Sequence, residues 1–63
     1  MLTPLQKRIF ELIVIGLSSK AIAKKLNLAY QTVRNETSKI LQFYNKKSVH
    51  ELTAHYYLYM SQF

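Results

Sequence analysis

The chain has 63 residues, no cysteine, and nine basic against three acidic side chains, which gives a formal net charge of +6. This length allows one small hydrophobic core, and the lack of cysteine excludes a disulfide framework. No run reaches the roughly 20 apolar residues of a membrane span, and the start lacks a secretory signal, so we expect a soluble intracellular protein whose partner is anionic: nucleic acid first, an acidic membrane surface second.

The first predicted helix covers about residues 4–15. Thr3 can cap it, Pro4 suits the first helical position, and Gln6 can close a capping box with Thr3. Gly16 is the expected terminator, because glycine tolerates the left-handed conformation at a helix end. Apolar residues at helical spacing predict a buried side made of Leu5, Ile9, Phe10, Leu12 and Ile13.

The second and third helices are predicted over about residues 19–26 and 30–44. Ser18 can cap the former, and Asn45 can end the latter in a left-handed conformation. The short turn between them gives the helix-turn-helix layout, whose second member can enter a DNA major groove. The residues expected to face the core are Leu17, Ile22, Ala23, Leu26, Leu28, Val33, Thr37, Ile40, Leu41 and Tyr44.

A fourth helix is predicted over about residues 49–60, opened by a second capping box from Ser48 to Glu51. It is too apolar on all sides for an ordinary surface helix. Part of it must close the core, and the remainder would form an exposed aromatic patch of the kind found at interfaces; the alternative is that so small a core uses every aromatic itself. Its apolar positions include Val49, Leu52, Tyr56, Tyr59 and Phe63.

The outer side of the third helix carries short polar side chains at steps of three and four, namely Gln31, Arg34, Asn35 and Ser38. A merely solvated helix usually carries glutamate and lysine there, because these favour helix and solubility. A base-reading helix needs donors and acceptors short enough to reach base edges, where arginine can pair with guanine and asparagine or glutamine with adenine. The plainer alternative is a polar surface of chance composition.

Other chemistry finds little support in the sequence. His50 and His55 are five apart, so they do not share one helix face as the zinc-protease motif requires, and we expect both to be surface residues. The chain also lacks a cysteine nucleophile and a glycine-rich phosphate loop. We therefore expect no enzyme activity, no metal and no cofactor.

The segment LTPLQKRIFELIVIGLSSKAIAKKLNLAYQTVRNETSKIL resembles the C-terminal DNA-binding domain of the LuxR/GerE/NarL regulators, which also includes FixJ-like proteins. The resemblance covers about Leu2 to Leu52. It implies one domain over residues 1–63 with an all-α fold of four helices and no winged element. It also implies a bacterial transcription regulator of the cytoplasm and nucleoid that binds double-stranded DNA, with RNA polymerase as a further candidate partner.

The resemblance, together with the charge distribution, assigns roles to individual positions. The expected base-contacting residues are Gln31, Arg34, Asn35 and Ser38. The expected phosphate-contacting residues are Lys20, Lys24, Thr32, Lys39, Lys46 and Lys47. A homodimer through helix 4 is expected to use Tyr56, Tyr57 and Met60, which would set two recognition helices about one DNA turn apart.

Several positions depart from the family pattern. Ala21 and Ala29 stand where glutamate and serine usually complete helix caps, and Glu36-Thr37 replaces a common His-Val pair. Glu36 is expected to pair with Lys39 or Thr32 away from the groove-facing side, and Thr37 to bond a carbonyl one turn back. The missing caps and the negative charge leave room for a rival reading, an interaction module that dimerises with a full-length regulator and modulates it. A basic amphipathic membrane binder is a third reading.

Overall fold

The computed structural model describes residues 1–60, which form four α-helices and, over that range, no β-strand. The all-α, four-helix prediction is therefore confirmed. Helix bounds differ slightly from those predicted, and the largest difference is in the fourth helix, which changes to a π-helical turn after His55. The predicted position Phe63 lies outside the described residues. The elements are α1 (Pro4–Val14), α2 (Ser19–Leu26), α3 (Tyr30–Phe43), α4 (Val49–His55) and the π-helical turn (Tyr56–Met60).

Side-chain caps begin three of the four helices. Thr3 and Gln6 form the complete predicted capping box on α1, with Oγ1 of Thr3 accepting from the Gln6 N–H at 3.1 Å and Oε1 of Gln6 accepting from the Thr3 N–H at 3.0 Å. Ser18 and Ser48 accept first-turn N–H groups in α2 and α4 at 3.2 Å. At α3, Ala29 has no side-chain oxygen and makes no such bond. Helix α3 therefore begins without a side-chain cap.

A left-handed residue follows each of the first three helices. Gly16, Asn27 and Asn45 have φ values of 105°, 56° and 57°. In each case the next N–H reaches back to a carbonyl five residues earlier, as when the Leu28 N–H donates to Ala23 O at 2.8 Å. This is the Schellman ending, which satisfies carbonyls that a helix end leaves open. The predictions for Gly16 and Asn45 are confirmed, and Asn27, which the sequence indicated only as part of a turn, shapes the corner between α2 and α3.

Restoring the missing cap on α3 is expected to stabilise the protein. Ala29 has φ −65° and ψ 142°, an extended backbone suited to a capping residue. Ala29→Ser should raise the free energy of unfolding by about 0.5–2 kcal/mol, because a hydroxyl would accept a first-turn N–H. Urea titration followed by circular dichroism measures this. Ser48→Ala, which deletes an existing cap, is the matched control and should lower stability by a similar amount; no gain from Ala29→Ser would contradict the cap argument.

The core lies where α1, α2 and α3 meet and is closed by Leu52 of α4. Of the apolar positions predicted for the fourth helix, Leu52 is buried, whereas Val49 and Tyr59 are exposed. In α1 to α3 and the turns between them, the predicted inward positions are buried or packed against the core, with one exception. Leu5 is exposed, and its neighbour Gln6 is buried instead. The side-chain amide of Gln6 has partners on both sides, so burying it leaves no polar group unsatisfied. The fully buried side chains are Ile9, Ile22, Val33, Ile40 and Leu52.

Helix α3 packs against both α1 and α2 along one side. That side consists of Val33, Thr37 and Ile40, all of which are buried. The hydroxyl of Thr37 donates to the carbonyl of Val33 at 2.7 Å, as predicted, so the polar group is satisfied within the helix. Because the buried side is fixed on two other helices, the opposite side of α3 is held outward in a defined orientation.

Aromatic contacts attach the C-terminal elements to this core. The ring of Phe10 lies 5.3 Å from that of Tyr44 and 5.7 Å from that of Tyr56, measured between centroids. His55 was predicted as a surface residue, but it is half-buried with its ring 5.2 Å from Tyr59 and 6.3 Å from Tyr44. That expectation was wrong because α4 turns His55 toward the end of α3. Among the described elements, none is long and apolar enough to be a membrane-spanning helix.

Candidate nucleic-acid interface

Four polar side chains form the outer surface of α3, and we call them the reading ridge: Gln31, Arg34, Asn35 and Ser38. All four are exposed. They alternate along the helix with the buried Val33 and Thr37, as expected for a period of 3.6 residues. The amide, guanidinium and hydroxyl groups of the reading ridge therefore face solvent, while the opposite side of α3 packs on the core.

Hydrogen bonds between residues four apart organise the reading ridge. Gln31 Nε2 donates to Asn35 Oδ1 at 3.0 Å, and Arg34 Nη1 donates to the Tyr30 hydroxyl at 3.1 Å. Residues four apart are neighbours on a helix surface, so such pairs form within the helix itself. Both pairs leave further donors and acceptors for a ligand, because an amide offers up to four hydrogen bonds and a guanidinium five.

A groove of about 470 Å³ runs beside the reading ridge, between the start of α2, the middle of α3 and the start of α4. It brings the predicted phosphate contact Lys20 together with the predicted base contacts Arg34 and Ser38. Gln31 and Asn35 are not part of its lining. The groove is lined by Ser18, Ser19, Lys20, Tyr30, Arg34, Thr37, Ser38, Leu41 and Val49.

The remaining predicted phosphate contacts lie outside this groove. Lys24, Lys39 and Lys47 are exposed, whereas Thr32 and Lys46 are half-buried. Lys39 already has a partner, since its Nζ lies 3.5 Å from Glu36 Oε2. The Lys39 end of this pair is 62% exposed to solvent, so the ion pair is a weak one.

Positive charge is concentrated around the reading ridge. Residues 18–47 contain seven of the nine basic side chains and one of the three acidic ones, so this segment alone accounts for the formal charge of +6. The rest of the chain carries two basic and two acidic side chains and is neutral. Clustered lysine and arginine attract a polyanion without regard to sequence. The reading ridge therefore lies within the basic part of the molecule.

Glu36 is turned toward α1 by a contact that the sequence did not predict. Gln6 Nε2 donates to Glu36 Oε1 at 2.9 Å, across 30 residues of chain, and Lys39 holds the other carboxylate oxygen. The predicted pairing with Lys39 is confirmed, and Gln6 takes the place of the predicted alternative, Thr32. The Glu36 side chain is only 18% exposed. Its negative charge is thus partly neutralised and partly covered.

The residues predicted for a dimer contact lie on the π-helical turn. Tyr56 and Met60 pack partly against the core of their own chain, whereas Tyr57 is exposed over about half its surface, 55%. The hydroxyl of Tyr57 donates to the carbonyl of Val14 at 2.7 Å, which fixes this turn to the end of α1. Within residues 1–60 no group of histidine and acidic side chains is arranged to hold a metal ion.

Two residues of the site escaped the sequence reasoning. Tyr30 was assigned no role, yet it lines the groove and bonds Arg34. The four-residue spacing of these two positions was the available signal. Gln6 was identified only as a cap, and its contact with Glu36 joins helices distant in sequence, so no local pattern indicates it.

Helices α2 and α3 are joined by a turn of three residues, Asn27, Leu28 and Ala29. This arrangement, with the reading ridge on the outer side of the second helix, defines a helix-turn-helix domain. A family model described as bacterial regulatory proteins, luxR family (GerE), matches residues 1–56, and the chain belongs to this family. No curated protein and no solved structure matches the chain significantly. The family is one of non-enzymatic, DNA-binding helix-turn-helix regulators, which makes double-stranded DNA the class of partner.

Proposed function

We propose that this protein is a sequence-specific regulator of bacterial transcription that inserts α3 into the DNA major groove, acting in the cytoplasm on the chromosome. The observation that carries the proposal is the exposure of Gln31, Arg34, Asn35 and Ser38 on one side of a helix whose other side is buried. A major groove about 12 Å wide admits a helix, and these side-chain types pair with base edges there. Sequence preference then comes from the reading ridge.

Phosphate contacts would supply most of the affinity. Lys20 stands at the start of α2 and lines the same groove as Arg34, and Lys47 follows α3, so the two lysines flank the reading ridge along the chain. Lys24, Thr32, Lys39 and Lys46 complete the proposed set. Phosphate contacts position the protein on the duplex without reading its sequence, and the affinity that they supply falls as the salt concentration rises.

We further propose a homodimer through the C-terminal elements, with Tyr56, Tyr57 and Met60 at the contact. What supports it is the exposed part of Tyr57 on a turn that is anchored to α1 and so holds a fixed position. Two-fold pairing would place two copies of α3 on one side of the duplex, about one helical turn apart. RNA polymerase is a further proposed partner, consistent with the regulator class.

The rival function, a module that pairs with a full-length regulator without reading DNA, drew its support from Glu36 and the missing caps. The carboxylate of Glu36 is held by Gln6 and Lys39, which weakens that support. Mixing the protein with a relative would distinguish the two, since the rival predicts heterodimers and no DNA shift.

Selection from a pool of random duplexes tests the proposed function. We expect the retained sequences to share one motif, arranged as an inverted repeat with about 10 base pairs between half-site centres if the dimer forms. The selected duplex should then bind at least about 10³-fold more tightly than a scrambled one, the lower end for specific DNA binding. A retained pool without a common motif, or equal binding of both duplexes, would contradict the proposal.

A further inference from the structure

We propose that Tyr30 is a positioning residue that sets the base preference of Arg34. The inference rests on the proposed function and adds a residue to which neither the family pattern nor the sequence gave a role. Tyr30 is the first residue of α3 and is 42% exposed, so burial in the core does not account for an aromatic side chain there.

The contact between the two side chains is specific in geometry. Arg34 Nη1 donates to the Tyr30 hydroxyl at 3.1 Å, and the guanidinium carbon lies 5.7 Å from the centre of the phenol ring. A cation at that distance from an aromatic face is attracted to it. The Tyr30 side chain therefore holds the guanidinium through both a hydrogen bond and its ring.

Holding the guanidinium matters because an exposed arginine is otherwise free to adopt many rotamers. Ordering such a side chain on binding costs free energy, and a side chain already ordered in the free protein loses less. The bond to Tyr30 uses one of five N–H donors. Enough donors remain for the two parallel bonds that arginine makes to O6 and N7 of guanine.

A second hydrogen bond between side chains four residues apart lies one position further along the helix. Gln31 donates to Asn35 across the same four-residue spacing, at 3.0 Å. Two of the four ridge residues are thus each held by the residue one turn earlier. For Asn35 the holding residue belongs to the ridge itself, whereas for Arg34 it is Tyr30, which lines the adjoining groove.

The test is a cycle of four proteins: wild type, Tyr30→Phe, Arg34→Ala and the double variant. Each is titrated with the selected duplex and with duplexes changed at single base pairs. Tyr30→Phe removes the hydroxyl, while it keeps the aromatic ring of residue 30 and the positive charge of Arg34. We expect the affinity for the selected duplex to fall about three- to tenfold, which is the effect of one hydrogen bond. The preference should weaken only at the base pair whose preference Arg34→Ala also relaxes.

In the Arg34→Ala background, Tyr30→Phe is expected to change nothing, since residues that act through one another are not additive. Tyr44→Phe, which deletes a phenol hydroxyl from a ring packed against the core, is the matched control and should bind as wild type does. Thermal unfolding checks that Tyr30→Phe folds normally, and a destabilised variant is replaced by Tyr30→Leu, which removes both the hydroxyl and the ring.

Three results would overturn the inference: an unchanged preference in Tyr30→Phe, an equal loss at every base pair, or a loss that persists without Arg34. If Arg34→Ala relaxes one base pair and Tyr30→Phe does not, this inference alone fails. If the wild type itself shows no base preference, the proposed function fails with it.

Discussion

Replacing Ile40 with alanine is expected to remove a large part of the protein's free energy of unfolding at 25 °C. Ile40 is 0% exposed and lies on the side of α3 that packs on the core. Truncating a buried isoleucine to alanine costs about 2–5 kcal/mol, through lost burial and the cavity that remains. A chain this short has a total stability of only about 3–9 kcal/mol, so the loss removes a large part of it. Thermal unfolding followed by circular dichroism measures the change.

Ile15→Ala is the matched control for this prediction. It deletes the same atoms from a side chain that is 65% exposed at the end of α1. We expect its free energy of unfolding to stay within about 0.5 kcal/mol of wild type, as for most surface substitutions. Similar losses in the two variants would show that the core is not where the structure places it.

Arg34→Ala is expected to produce the largest effect on DNA recognition. The variant should lose about 1–3 kcal/mol of binding free energy on the selected duplex and relax the preference at one base pair. The reason is that Arg34 is exposed on the reading ridge and retains donors for a base edge. Fluorescence anisotropy with selected and scrambled duplexes measures both effects. Equal losses on the two duplexes would refute the assignment of Arg34 to base reading.

Two variants separate charge from base reading in this experiment. Lys47→Ala should weaken binding to both duplexes alike and lower the salt dependence by about one unit of slope, since a phosphate contact carries no sequence information. Arg8→Ala removes the same charged group as Arg34→Ala from the exposed surface of α1, outside the proposed interface. We expect it to bind both duplexes nearly as wild type does.

Much of the fold could be predicted because its signals are local. Helix caps, the spacing of apolar residues and left-handed terminators all depend on residues close together in the chain. Thr3 caps α1, and Gly16 and Asn45 adopt the left-handed conformation after α1 and α3, as expected. The predicted ends of α1 and α3 each differ by one residue from the observed ends, Val14 and Phe43. Such differences are normal, because helix ends fray and their last bonds tighten.

Features that depend on distant partners could not be predicted. Leu5 fits the apolar spacing of α1 better than Gln6, yet Gln6 is the buried one because Glu36 of α3 supplies an acceptor for its amide. The half-burial of His55 likewise depends on Tyr44 and Tyr59 meeting around it. A periodicity argument treats each helix alone, so it misses polar and aromatic partners that the packing brings together.

The site shows the same division. The exposure of the reading ridge follows from the helical period of α3, and the sequence indicated it. The bond from Gln31 to Asn35 and that from Arg34 to Tyr30 were not anticipated, although their spacing permits them. The sequence reasoning only divided the residues of α3 into buried and exposed, so it did not consider hydrogen bonds between two exposed side chains. Candidate recognition helices are therefore better examined for pairs four residues apart as well as for polarity.

The most direct test of the central claim is a nuclear Overhauser measurement on the protein bound to its selected duplex, with the side-chain amide of Asn35 as the reporter. We predict cross-peaks from this amide, and from residues of the reading ridge beside it, to major-groove protons such as thymine methyl or cytosine amino groups. Cross-peaks to those protons from α1 or α4, with none from Asn35 or Ser38, would contradict the account.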